Sequence, residues 1–261
     1  MSVLDKQLLQ WADGIASEAN FWRNWFATKG GAWSDDYAKR MSPDSKLTSL
    51  IRSKLLGMSR KARILDVGAG PISAVGYTDP EIEFELVPCD PLAPIYQSFY
   101  SEFDATPPVP TVFAPGEDLS AIFSDDKFDL VYCQNALDHS FDPVRILQEM
   151  LRITEVGGHI ILFHRRNEAE HENYAGFHQF NLDVIDGEFV IWNRDERSVP
   201  EIAFRNFASF SQKLEGEWVT VEIQKTREMP DNDSFQRTAK RLGSVWEAVI
   251  LALSHRALHS K

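Results

Sequence analysis

The feature that most limits what this chain can become is an apolar run that ends in a glycine turn, Arg63-Ile64-Leu65-Asp66-Val67-Gly68-Ala69-Gly70-Pro71. The run reads as a strand. Glycine has no Cβ to hold a ligand away, so a turn built on Gly68 and Gly70 lets a bound molecule touch the backbone. A helix after the turn is expected to aim its free N–H groups at the same spot. Asp66 stands two residues before Gly68, and Asp90 twenty residues after Gly70 closes a second apolar run, Phe84-Glu85-Leu86-Val87-Pro88-Cys89. A carboxylate at that place accepts hydrogen bonds from both hydroxyls of a ribose. These positions together predict a nucleotide-type ligand in an α/β sheet.

The polar residues around the turn separate two kinds of ligand. A dinucleotide fingerprint wants a third glycine where this chain has Ser73. A phosphate would recruit Arg or Lys, and Pro71 to Pro80 contains neither. The Asp66 carboxylate suits a ligand carrying an ammonium group. S-adenosylmethionine has an α-ammonium, a sulfonium and no phosphate, so the residues favour it over NAD.

In this light the chain resembles the class I S-adenosylmethionine-dependent methyltransferases, in their small-molecule and glycan group. The likeness covers about residues 60 to 165. Ile64 to Gly70 resembles the family's first motif, and Val87-Pro88-Cys89-Asp90-Pro91 its second. Gly116-Glu117-Asp118-Leu119 is similar to the adenine-contacting loop, and Phe128 to His139 to the fourth strand and its turn. Glu155-Val156-Gly157-Gly158 is similar to the lead-in to strand five. One departure stands out: Pro71 to Pro80 is short for a full first helix, so the methionine end of the cofactor is expected to be held differently.

The resemblance implies a Rossmann-like, doubly wound, mostly parallel seven-stranded sheet with a terminal antiparallel hairpin. It places Asp66, Gly68, Ala69 and Gly70 at the methionine moiety, and Asp90 with Pro91 at the ribose. Glu117 or Asp118 meets the adenine amine, a solvated loop carboxylate being the plainer reading of Asp118. Asn135 sits near the transferable methyl group.

The pattern along the chain agrees. Strands are expected at 62–67, 84–89, 110–114 and 128–133, with a helix near 94–103, and such alternation argues for a parallel sheet covered by helices. A helix at 143–154 is signalled by Asp142 as N-cap, Pro143 in the first turn and Gly157 as its stop. Leu182 to Trp192 reads as a hairpin through Asp186-Gly187. Strands near 206–213 and 217–224 and an amphipathic helix near 232–256 follow. Residues 1–60 read as a helical cap that forms part of an active-site lid. Residues 61–261 read as the catalytic domain, with a substrate-binding insert at about 164–200.

Charge and cysteine content narrow the partners. A formal net charge of −12 opposes binding to nucleic acid, whose affinity comes mainly from neutralised phosphates. No apolar stretch is long enough to span a bilayer, and Met1 to Lys6 does not read as a signal peptide. Cys89 and Cys133, each closing a predicted strand, read as buried thiols in a reducing cytoplasm.

Methyl transfer is an in-line displacement that needs alignment and, for a hydroxyl acceptor, a base. Histidine is the natural base near neutral pH. Five of the seven histidines fall between His139 and His178. His164 and His139 follow strands five and four and are the candidate catalytic residues, although an Asp-His pair at 138–139 also serves as a fold brace. Trp22, Trp25 and Trp33 offer a stacking platform, and Arg40, His171, Tyr174 and His178 polar contacts, for a sugar or another hydroxylated small molecule. A helix over 167–174 would put Glu168, His171 and Glu172 on one face; the duller account, Glu paired with Arg165 or Arg166, is preferred, and no metal is expected. The expected activity is O-methylation of a small molecule or glycan. An NAD-dependent oxidoreductase and a non-catalytic cofactor-binding scaffold are the alternatives, and oligomeric state is left open.

Overall fold

The structure, a computed structural model, describes residues 3–230 and 234–259. The chain runs through α1 (Val3–Ala27), α2 (Ser34–Met41), α3 (Ser49–Leu55), β1 (Ala62–Val67), β2 (Phe84–Asp90), α4 (Ala93–Glu102) and β3 (Val112–Phe113). It continues with β4 (Phe128–Gln134), α5 (Pro143–Ile153), β5 (Thr154–Arg165), α6 (Glu168–His171), β6 (Asn181–Ile185), β7 (Glu188–Trp192) and β8 (Arg197–Ser198). Last come α7 (Pro200–Phe204), β9 (Ala208–Glu215), β10 (Trp218–Lys225) and α8 (Phe235–His259).

The main sheet has seven strands in the order β3-β2-β1-β4-β5-β10-β9. Strands β1 to β5 pair in parallel, and β10 enters antiparallel between β5 and β9. This is the expected doubly wound, Rossmann-like sheet with its terminal hairpin. β1 is central, and every residue of it but Arg63 is buried, as a parallel strand covered on both faces requires. On one face α5 lays Leu147, Met150 and Leu151 against Leu65, Val131 and Ile160. Asp142 caps α5 by accepting from Arg145 N at 3.0 Å, and Pro143 opens it.

The expected helix after the glycine turn does not form. Residues 71–83 contain no helix, and Gly76 takes φ +95° with its Cα hydrogens against Lys46 O, where any Cβ would lie 2.2 Å away. The sheet face that such a helix would cover is filled instead by α3, whose Ile51 and Leu55 pack on Ile64, Leu86, Leu130 and Tyr132. Part of the N-terminal segment is therefore sheet packing, while α1 and α2 stand over the strand ends.

Other expectations shift for local reasons. β3 shrinks to two residues after Pro107, Pro108 and Pro110, since proline donates nothing to a ladder. Gly157 does not stop α5, which ends at Ile153 and passes straight into β5; Gly157 lies within β5 at φ +92°, where β4 and β5 shift register. The 181–192 hairpin forms, but with β8 it makes a separate three-stranded sheet. Its Leu182, Phe189 and Ile191 join the α5 side of the core. The last helix begins at Phe235, and residues 232–233 of its expected start, like Met1 and Ser2, lie outside the described residues. No described helix is long and apolar enough to cross a membrane.

Candidate functional site

A cleft of about 840 Å³ opens beyond the carboxyl ends of β1, β2, β4 and β5, roofed by α1 and α2. Its floor is the glycine turn. Gly68 takes φ +68°, and a Cβ there would lie 2.3 Å from the Ala136 side chain; at Gly70 it would meet the Trp22 indole at 2.7 Å. The turn is thus pressed between the loop after β4 and α1, and only glycine fits.

Three buried carboxyl groups converge on this floor. Asp90 accepts from Gly70 N at 3.1 Å and Leu92 N at 2.8 Å, which fastens the glycine turn to the end of β2. Burial pushes its carboxyl up to about 7 despite those bonds. Asp66 accepts from Ser73 Oγ at 2.6 Å, and Ser73 Oγ in turn accepts from Val75 N at 3.1 Å. Ser73, the residue that broke the dinucleotide pattern, is a buried clasp for Asp66. Burial lifts Asp66 to about 6, opposed by Ser73 and by the charge of Arg40. Glu117 accepts from Phe141 N at 3.1 Å, and burial sets it at about 8. Near pH 7 Glu117 is then largely protonated, Asp90 about half so and Asp66 mostly ionised; an ammonium, two ribose hydroxyls and an amine would favour the ionised form of all three.

The other end of the cleft is aromatic and histidine-rich. Trp11 stacks on Phe177 with centroids 5.3 Å apart, while Trp22, whose indole also covers Gly70, bridges back to the floor and meets Trp25 edge-on at 5.5 Å. Beside them His139 Nε2 lies 3.2 Å from His178 Nδ1, which lies 3.0 Å from Asp138 Oδ2. Burial alone would raise Asp138, but the charge on His139 and the bond to His178 outweigh it and hold its carboxyl at about 2. Burial likewise lowers His178, and the Asp138 bond overrides it so that His178 is raised.

The cleft gathers most of the residues singled out in the sequence: Asp66, Gly68, Ala69, Gly70, Asp90, Pro91, Glu117, Asn135, Trp22, Trp25, Trp33, Arg40, His139 and His178 all line it. Four do not. His164 is buried beneath the floor, both ring nitrogens lack a partner, and burial lowers it to about 4. Asp118 is no solvated carboxylate: it is fully buried and accepts from Arg241 Nε of α8 at 3.1 Å. His171 points to Glu217 at 3.7 Å, and Tyr174 accepts at its hydroxyl from Asn181 Nδ2. α6 is a single turn in which Glu168 pairs with Arg165 at 3.0 Å, the duller account of that segment. Sequence reading missed Glu18, which accepts from the Trp22 indole at 2.7 Å and faces His139. Its only sequence signal is the four-residue spacing to Trp22, common to any helix.

Comparison with known proteins bears on the floor of this cleft. The methyltransferase-domain family matches residues 65–162, the stretch from β1 through the glycine turn, Asp90 and Glu117 to β5. Over that stretch the chain carries a methyltransferase domain. The cofactor of these methyltransferases is S-adenosylmethionine, and the donor-seeking carboxyl groups of the floor fit it. No curated protein matches the chain in sequence. Among solved structures, a chain of the complex between the Haloferax volcanii Trm112 methyltransferase activator and its candidate methyltransferase is 15% identical. That alignment covers 82% of this chain and 98% of that one, with a TM-score of 0.51, and shows the shared fold. Two others are more distant in shape. A Methanococcus maripaludis protein described as S-adenosylmethionine-dependent is 12% identical over 79% of this chain and 92% of its own, at TM-score 0.49. The Burkholderia thailandensis 1,6-didemethyltoxoflavin-N1-methyltransferase, solved with S-adenosylhomocysteine, is 15% identical over 82% and 88%, at 0.46.

Proposed function

We propose that this methyltransferase moves a methyl group from S-adenosylmethionine to a hydroxyl oxygen of a small molecule or glycan. The observation that carries the reading is one continuous cleft with a carboxyl-lined floor at one end and an aromatic, histidine-bearing end at the other. When bound, S-adenosylmethionine supplies a methyl carbon made electrophilic by the sulfonium.

Asp90 takes the ribose hydroxyls, Glu117 the adenine amine and Asp66 the α-ammonium. Arg40 takes the α-carboxylate, a change from the acceptor role expected for it. Its Nη1 donates to Ile72 O at 3.0 Å, beside the glycine turn, where the missing helix would have offered backbone N–H groups. Asn135 stands at φ +47° and accepts from Arg165 N at 2.8 Å, so it locks the loop after β4 to the end of β5. The acceptor lies among Trp11, Trp22, Trp25 and Phe177, with its hydroxyl against His139, His178 and Asp138. Apolar walls around that hydroxyl exclude competing water. His164 acts beneath the site, bracing rather than touching the acceptor.

The test is transfer of a labelled methyl group to a panel of sugars, glycosides and phenols. Loss of transfer in His139→Ala with S-adenosylhomocysteine affinity kept supports the reading. Full transfer to an identified hydroxyl acceptor by that variant refutes the acceptor site, and methylation of an amine in preference refutes the oxygen assignment.

A further inference from the structure

The three donor atoms at the acceptor end are placed as a metal ion would place them. Asp138 Oδ2, His139 Nε2 and His178 Nδ1 are separated by 3.0, 3.2 and 3.5 Å. A cation about 2.1 Å from each donor sets neighbouring donors about 3.0 Å apart in octahedral and about 3.4 Å apart in tetrahedral coordination. Two sides of the observed triangle fall in that range and the third, 3.5 Å, lies just beyond it.

Hydrogen bonding accounts for the cluster less well. A neutral imidazole carries one N–H. The single hydrogen that His178 Nδ1 can hold serves Asp138 or His139 but not both, and His139 then has to reach Asp138 over 3.5 Å. A cation satisfies all three lone pairs at once.

Two further features fit a metal centre. The outer nitrogen of His139, Nδ1, faces the Glu18 carboxylate at 4.0 Å, and Glu18 is itself oriented by the Trp22 indole. Carboxylates behind ligating histidines orient the ring and strengthen its binding. All three residues also line the cleft, which gives a cation held there a route to a bound acceptor.

We propose that Asp138, His139 and His178 bind one divalent transition-metal ion, of the manganese, iron, cobalt or zinc type, whose open positions take oxygen ligands from the acceptor. Two histidines and one carboxylate select such ions over magnesium or calcium, which favour all-oxygen sites. An acceptor with adjacent oxygens, such as vicinal hydroxyls, chelates best. This last clause rests on the acceptor reading above; the metal site itself does not.

Cobalt(II) titration of the metal-stripped protein tests the site, read by visible absorption and by calorimetry, with S-adenosylhomocysteine binding measured in parallel. One cobalt ion per chain is expected, displaced by zinc. Affinity is expected to fall by about tenfold to a hundredfold in Glu18→Gln. His178→Gln and Asp138→Asn are expected to weaken it further, with S-adenosylhomocysteine affinity unchanged as the mark of intact folding. Absence of stoichiometric cobalt or zinc binding overturns the proposal. So does binding that persists in a His178→Gln protein that still binds S-adenosylhomocysteine. Metal binding without S-adenosylhomocysteine binding would leave the site standing and refute the methyltransferase reading instead.

Discussion

Cofactor binding should release protons, and the structure sets how many. Burial holds Asp66, Asp90 and Glu117 at about 6, 7 and 8 in the ligand-free protein. At pH 7 those values leave about 1.5 protons on the three groups together. A ligand that meets them with an ammonium, hydroxyls and an amine favours the ionised forms, so the protons leave as it binds. The sign follows: affinity rises with pH, by about tenfold from pH 7 to pH 8, or about 1.4 kcal/mol. The assay is calorimetric titration of S-adenosylhomocysteine at pH 7 in buffers of different ionisation enthalpy. The slope of observed heat against buffer enthalpy counts the protons. Asp90→Asn should lower the count by about 0.5, since half of that group is protonated at pH 7 when it titrates at about 7. A count near zero in the native protein, with normal affinity, would refute the assignment of these carboxyl groups to the cofactor.

Three substitutions extend the test. Gly68→Ala brings a methyl group 2.3 Å from the Ala136 side chain at φ +68°, and should cost roughly 2–4 kcal/mol in urea unfolding and abolish cofactor binding. Ser73→Ala removes the donor to Asp66 and should cost about 1–2 kcal/mol at pH 8, where Asp66 is ionised. That loss should shrink at pH 5, where Asp66 is protonated, because its raised carboxyl, at about 6, is neutral there; equal losses at both values would break the argument. Arg40→Gln should weaken S-adenosylhomocysteine by about tenfold or more while leaving 5′-methylthioadenosine, which lacks the carboxylate, unaffected. Equal effects on the two ligands would remove Arg40 from the methionine end.

Local chemistry made much of this legible in the sequence. The run from Arg63 to Val67 and the turn at Gly68 and Gly70 are contiguous, and the carboxylates at 66, 90 and 117 each stand in or just beyond a strand, so strand and turn geometry places them. Asp142 and Pro143 signalled their helix in the same way. Each depends on a few adjacent residues, which is why it can be read along the chain.

The remainder depended on which distant segments meet. Nothing near residue 71 announces that α3, twenty residues earlier, takes the place of the missing helix, because apolar faces of similar size compete for any open side of a sheet. Asp118 and Glu117 are adjacent carboxylates, yet one pairs with Arg241 far along the chain and the other faces the cleft. His164 and His139 looked alike at strand ends, but pleating turns one beneath the floor while the loop after β4 carries the other into the cleft. Asp138 and His178, forty residues apart, meet at 3.0 Å only because α6 and the loop after it fold back over that same loop. The sequence by itself therefore determined the sheet, the glycine turn and the strand-end carboxylates, which follow from strand and turn geometry. Tertiary packing alone decided how the histidine-bearing end is assembled, where burial and convergence of distant side chains set the chemistry.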